Sequence, residues 1–441
     1  MSPQEILALM MLGGFMTLIL IGIPVGISLA VSGLVFGYLG FGSTLLGLLP
    51  SRIFGVVTNY TLLAIPLFVF MGVMLEKSRI ADALLETLGH AMGGVRGGMG
   101  IAIVLVGVLM GAATGIVGAT VVTVGLLTLP VLMRRGYNSG VACGTICASG
   151  TLGQILPPSL VLILLSDILG ESVGSLFAAA LFPGLMLAAV YVIYLLVLGW
   201  FKPQVAPPIP KEERDALSQG DLAVRIIKSV LPTLLLVFAV LGSIVGGVAA
   251  PTEAASMGAA GSLLIALISR RLDLAVLSET LKGTVSISAM VFFILICAQP
   301  FALAFRGLGG ENLVEAMFAL IPGGLNAELL FMMLLIFVLG FFLEWIEISY
   351  IALPMFLPIF QSAGVDMVWL GILVAMNLQA SFLTPPFGWA LFFLKGVAPP
   401  GITTRDIYVG VLPFIALQVI ALGMVFVMPG MATWLPEAIG W

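Results

Sequence analysis

The chain reads as a series of long apolar runs joined by short polar connectors. Runs long enough to cross a bilayer, about 20 residues, fall near 6–22, 24–40, 60–76, 140–166, 173–200, 229–247, 251–269, 284–305, 367–394 and 407–428, with Ile21-Gly-Ile-Pro24 as the hinge between the first two. Two more apolar stretches, 98–133 and 326–361, are 36 residues each and too long for one span. The first is interrupted by Gly111-Ala-Ala-Thr-Gly-Ile-Val-Gly118, the second by Glu344-Trp-Ile-Glu347. Residues 78–96 interleave Arg79, Asp82, Glu86 and His90 with apolar positions, as an amphipathic helix at the membrane surface does. His90, close to Arg96, is expected on the surface. The pattern predicts an all-α polytopic membrane protein.

Composition agrees: 61% of the 441 residues are hydrophobic and 9% charged, against about 25% charged in a soluble domain. The longest polar stretch, Lys202 to Lys228, reads as a cytoplasmic linker. No cleavable signal sequence is evident, so the first apolar run is expected to stay. Cys143, Cys147 and Cys297 lie in apolar runs and read as small buried residues. Charge matters by side rather than by sum. If 98–133 and 326–361 each enter and leave on one side, 15 of the 17 Lys and Arg residues fall on one face, and only Arg52 and Arg306 on the other. The positive-inside rule then makes the crowded face cytoplasmic and both termini external.

The strangest feature is Gly150-Thr-Leu-Gly-Gln-Ile-Leu-Pro-Pro-Ser159 in the middle of an apolar run. Proline and glycine break helices, and an unpaired backbone group in lipid costs several kcal/mol. A second break, Asn377-Leu-Gln-Ala-Ser-Phe-Leu-Thr-Pro-Pro-Phe-Gly388, repeats the context 228 residues later. Pro130 and Pro358, and Gly136 and Gly364, differ by the same 228. Each half therefore runs long apolar stretch, proline, glycine turn, Pro-Pro-broken span, and the charge partition sends the first broken span outward and the second inward. Inverted repeats of this kind bring two breaks to the midplane, where helix ends and unwound carbonyls bind substrate and ions. A hard cation such as Na⁺ suits those oxygens. Taken with the rest, the chain divides into scaffold spans at 1–60, a first repeat at 61–200, the linker at 201–228, scaffold spans at 229–283 and a second repeat at 284–441.

Ala64-Ile-Pro-Leu-Phe68, Leu129-Pro-x4-Arg-Gly-Tyr137, the 150–159 break, Pro251-Thr-Glu-Ala-Ala255 and Thr384-Pro-Pro-Phe-Gly388 resemble the large membrane subunit of TRAP (tripartite ATP-independent periplasmic) transporters over nearly the whole chain. The resemblance implies an elevator-type secondary transporter in the bacterial inner membrane, driven by sodium and importing an organic acid. It implies two protein partners, a small four-span membrane subunit and a periplasmic substrate-binding protein, beside the membrane lipid. The chain opens at the first large-subunit span, so the small subunit is expected as a separate chain, packed near residues 6–40. Two tips depart from the family: the first, Ala113 to Thr120, keeps only Thr114 and Thr120 as hydroxyls where relatives are serine-rich, and the second has Glu344-Trp-Ile-Glu347 where relatives often have Asp followed by Gly.

The 228 offset pairs Gly153 with Ser381, Leu156 with Thr384 and Ser159 with Phe387. A first sodium ion is expected between Gly153, Leu156 and Ser159 and the tip at Thr114, Gly115 and Val117. A second is expected between Ser381, Thr384 and Phe387 and the tip at Glu344 and Trp345, with the carbonyls of 153, 156, 381 and 384 free of the helix ladder. The substrate anion is expected between the tips, near Thr114, Thr151, Gln154, Gln379 and Trp345. Asn377, Gln154 and Gln379 are equally suited to satisfying broken backbone, Glu344 to a structural hydrogen bond and Trp345 to anchoring the tip; Glu253 reads as a helix cap. No His-Glu-x-x-His motif, Ser-His pair or paired intramembrane aspartates appear, so no enzymatic activity is expected. A standalone sodium–carboxylate symporter of similar architecture is the alternative. The orientation is open to test: single cysteines at positions 211 and 271 should react with an impermeant reagent only from the cytoplasmic side, and labelling of position 211 from outside rules the inverted arrangement out.

Overall fold

The computed structural model describes residues 2–115, 117–210 and 218–441, without the side chains of residues 113, 114 and 219. Lys211 therefore lies outside the described residues. Those described form helices and connectors, with no strand among them. Among the described residues, seven helices are long and apolar enough to cross a membrane, and an eighth crossing forms if Thr44–Val57 and Thr61–Lys77, bent by 52°, make one span. Apolar side chains such as Phe238 and Leu412 face outward along the spans, as lipid permits.

The two apolar 36-residue stretches fold as helix–tip–helix hairpins. The first has arms Gly98–Thr114 and Val117–Arg134, the second Leu325–Leu339 and Trp345–Ser362. Each precedes a broken helix: Ser139–Thr151 then Leu160–Leu169, and Met367–Leu383 then Trp389–Val397. The 228-residue offset holds in detail. Gly136 and Gly364, both in the left-handed region at φ 75° and 73°, make the turn after each hairpin, a conformation that favours glycine. Asn138 and Asp366 then cap the broken helices, their side-chain oxygens accepting from the N–H of Val141 at 3.2 Å and of Trp369 at 2.7 Å. Packing follows the same symmetry. The second arm of the first hairpin lies on Trp389–Val397, and the second arm of the second hairpin lies on Leu160–Leu169. Each hairpin thus holds the first segment of its own broken helix and the second segment of the other half's.

Several boundaries move. The 201–228 linker is shorter and better held than expected. Helix Gln219–Val245 takes its last ten residues, because Ser218 accepts from the Asp221 N–H at 3.1 Å and starts the helix there. Its first part is strapped down: Gly97 N–H donates to Ala206, Asn138 N–H to Val205 and Ile209 N–H to Gly93. The scaffold region 1–60 contains an unforeseen helix, Thr44–Val57, and the span placed at 284–305 starts at Leu274, where Asp273 accepts from the Val276 N–H. His90, expected on the surface, is partly exposed there in the last turn of Ile80–Met92, with Nδ1 enclosed. All three cysteines are buried and unpaired by disulfides, and the Glu253 carboxylate does accept from the Ala250 N–H at 2.9 Å. The Arg271 guanidinium donates to the Arg79 carbonyl and Arg225 pairs with Glu86 at 2.6 Å, so these basic residues gather at one end of the bundle.

The first broken helix is bound most intimately to Thr404–Val427. A Cβ on Gly410 would collide with the Gly140 carbonyl, and one on Gly144 with the Gly410 carbonyl; the helices meet backbone on backbone. Gly423, on the same helix, has nothing near. Gly410→Leu should therefore lower the thermal transition of the purified protein by the cost of overpacking, about 1–3 kcal/mol, while Gly423→Leu leaves it unchanged; equal transitions for the two variants, followed by tryptophan fluorescence, contradict this packing.

Candidate functional site

The site is assembled where each tip meets a break. In the first half, helix Ser139–Thr151 tightens into a short 3₁₀ turn over Leu152–Gln154. The chain then passes Pro157 and Pro158 and restarts at Leu160, where Ser159 caps. The Ser159 hydroxyl donates to the Gln154 carbonyl at 2.6 Å and accepts from the Val161 N–H at 3.2 Å, so one side chain ties both ends of the break. The tip reaches it in two places. Gly111 lies against Gly153, closely enough that a Cβ on either would sit about 2.5 Å from the other's backbone. Gly115, at φ 61°, ends the first arm and lies against the Leu160 N–H group. Val117, buried, begins the second arm. The Thr114 side chain, expected in both the substrate and the first ion site, lies outside the described residues.

In the second half, Gly340 takes the part of Gly111 and packs on Ser381, and the Phe342 ring stands 5.2 Å from that of Phe387. Trp345 is buried and Glu344 half-buried at the start of the second arm. The neighbouring Glu347 carboxylate accepts from the Glu344 N–H at 2.8 Å, a cap that closes the arm's first turn. The expectation of free carbonyls is corrected here. The Ser381 carbonyl accepts from the Thr384 N–H at 3.1 Å, and that of Thr384 from the Gly388 N–H at 3.0 Å, because the break folds into successive turns; each carbonyl retains one lone pair. The Ser381 and Thr384 hydroxyls donate to Leu378 and Ala380, and the Phe387 side chain is partly exposed.

Between the breaks, helix Met367–Leu383 packs against the 152–154 turn. Thr151, Gln154 and Gln379 are all fully buried. Thr151 donates to Ala148, and Asn377 donates to Met333 at 2.7 Å, tying the broken helix to the second hairpin. Gln154 and Gln379 differ: among the described residues neither amide oxygen nor amide nitrogen of either has a partner. Buried polar groups are nearly always hydrogen-bonded, and an exception needs an explanation. Two complete amides, each able to donate twice and accept twice, stand ready for a polar solute.

One group escaped sequence reasoning. Asp167, near the end of Leu160–Leu169, accepts from the Asn59 side chain at 2.6 Å and from the Tyr350 hydroxyl at 2.9 Å. It joins the N-terminal region to the second hairpin through the first broken helix. An acid inside Leu160-Val-Leu-Ile-Leu-Leu-Ser-Asp-Ile-Leu169 was the available signal, since carboxylates in such runs are seldom idle.

Paired hairpins clasping paired broken helices, with buried amides between them, define a membrane transporter. The solved Alcanivorax borkumensis YdaH transporter shares this fold, with a TM-score of 0.64 at 13% identity over 91% of this chain and 90% of that one. The chain belongs to the DctM component family of tripartite ATP-independent periplasmic transporters, whose family model matches residues 12–431. It is 31% identical to the C4-dicarboxylate TRAP transporter large permease protein DctM of Pseudomonas aeruginosa, over 89% of this chain and 90% of that one. It is 28% identical to the sialic acid TRAP transporter large permease protein SiaM of Vibrio cholerae, over 96% and 97%.

The contact of Gly111 with Gly153 gives a direct test of the site. Gly153→Leu forces the first tip off the break, so uptake should fall by about tenfold or more while the protein still purifies as a folded species. Full uptake in a folded Gly153→Leu protein separates this contact from transport.

Proposed function

We propose that the chain is the sodium-driven large permease of a three-part importer for an organic acid in the bacterial inner membrane, with its N-terminus on the periplasmic side. The observation that carries this reading is the pair of fully buried amides of Gln154 and Gln379, without partners among the described residues, beside two helix breaks. Membership in a tripartite family favours it over a standalone symporter. The substrate class rests on the relatives, whose names give a C4-dicarboxylate and sialic acid, both carboxylic acids. A periplasmic binding protein delivers the acid, and a small membrane subunit completes the membrane part.

In this reading the substrate carboxylate lies between the tips and is held by amide donors and by the first turn of Trp345–Ser362. Anions favour such helix N-termini. No Lys or Arg is buried among the described residues, so sodium ions at the two tip–break contacts supply the positive charge. Ligands for the first are oxygens of Gly153, Leu156 and Ser159 with the tip at Gly115 and Val117; for the second, those of Ser381, Thr384 and Phe387 with Glu344 and Trp345. Movement of both hairpins and both broken helices as one body, against the spans at 1–60 and 229–283, exposes the site to each side in turn.

Vesicles holding the permease and its small subunit should take up radiolabelled organic acid only with the binding protein outside and an inward sodium gradient. Thr384→Ala should raise the half-saturating sodium concentration about threefold, within the weight of one lost hydrogen bond. Uptake that persists without the binding protein, or at equal sodium on both sides with no membrane potential, refutes the proposal.

A further inference from the structure

Behind the second hairpin lies a cavity of about 410 Å³ that the transport reading does not use. Leu12 and Phe15 of Pro3–Leu20 form one wall, Val314 and Met317 of the short helix Gly310–Phe318 another, and Leu339 and Met355 of the two hairpin arms the third. Every lining side chain is apolar. A second, smaller recess shares Phe305, Ile351 and Met355 with it and adds Arg306, Glu311 and Tyr350. We infer that these two recesses bind one anionic phospholipid, with an acyl chain in the apolar cavity and the phosphate on Arg306.

Three observations fix the occupant. Leu9, Met16 and Met317 line the cavity yet remain 46%, 36% and 36% exposed, so it opens at the outer surface of the bundle. Water does not settle in an apolar space, and an unfilled one forfeits the dispersion contacts of its walls. A lipid tail supplies them. At about 30 Å³ for a group the size of water, the space holds on the order of a dozen methylenes; a helix, about 10 Å across, does not enter it.

The charge is the third observation. Arg306 is one of only two cations that the charge partition leaves on the external face, and transport gives it no task. Its Nε is held by the Glu311 carboxylate at 2.9 Å, and its two terminal amino groups have no partner among the described residues. Glu311 thereby aims a guanidinium fork, the group that meets phosphate in bidentate fashion, beside the apolar cavity. The bound tail separates Pro3–Leu20 from the hairpin that carries the second tip, so the lipid lies between fixed and moving parts.

The test uses the full chain with its small membrane subunit, reconstituted in bilayers containing phosphatidylglycerol with a photoreactive diazirine on one acyl chain. After illumination, label should concentrate on peptides covering 310–318 and 345–356, above the level on the outward face of 409–424. Leu313→Trp, which fills the cavity, should reduce that label about tenfold, and Ala352→Trp makes the same test if Leu313→Trp does not fold. Arg306→Gln should abolish the preference for phosphatidylglycerol over phosphatidylcholine at these peptides. Label no denser there than on 409–424, full labelling in a folded cavity-filling variant, or protection of the cavity by the small subunit in the assembled complex each overturns the inference.

Discussion

A backbone N–H or carbonyl has no water to bond to in lipid, and the rest of this structure depends on how that constraint is met at two places. A Pro-Pro pair stops the helix and leaves groups that need partners. The first break is enclosed by protein, the second is open at Pro386 and Phe387, and each is repaired locally. Ser159 links the two ends of the first. Turns through Ser381, Thr384 and Gly388 close the second. The hairpins supply the enclosure. Their own tips need covering too, and a tip laid against a break covers both at once. Glycine is required there because backbone meets backbone, as Gly111 does Gly153.

The cross-packing of the halves follows from the same need. A hairpin that packed only on its own broken helix would leave two separate units, each with an exposed break. Packing on both halves, with the arm Val117–Arg134 on Ser139–Thr151 and on Trp389–Val397 and the arm Trp345–Ser362 on Leu160–Leu169, brings the two breaks together within one shell. The buried amides of Gln154 and Gln379 then lie inside that shell. Asp167, bonded to both Asn59 and Tyr350, ties the shell to the N-terminal region.

Most of this architecture was legible because lipid simplifies the code. Spans appear as apolar runs, and each departure from such a run needs a reason. The hairpins, the breaks, the 228-residue offset and the pairing of each tip with its break all came from that logic. What escaped was set by contacts distant in sequence or by local capping. Helix Thr44–Val57 contains Pro50 and Arg52, which blur its apolar signal. Ser218 and Asp273 start helices ten residues ahead of the apolar runs they lead into, since a capped amphipathic turn needs no hydrophobic run. His90 is half-buried only because Ile80–Met92 packs on the first hairpin and on Gln219–Val245, which no local window reveals.

The chemistry of the site was less legible than its place. Sequence alone gave Gln154, Gln379 and Asn377 the same standing, as polar residues in broken spans. Distance in space separates them: Asn377 finds the Met333 carbonyl, while the two glutamines find no partner among the described residues. The same holds for the acids at the second tip. Glu347 is occupied as a cap on the Glu344 N–H, so a structural hydrogen bond accounts for one acid of the pair and leaves Glu344 at the tip itself. Amides suit a carrier better than fixed buried charges. A buried Lys or Arg must stay paired when the site is empty, whereas a glutamine exchanges one set of hydrogen bonds for another at small net cost. Two uncharged amides therefore leave no stranded ion in the shell when nothing is bound to them.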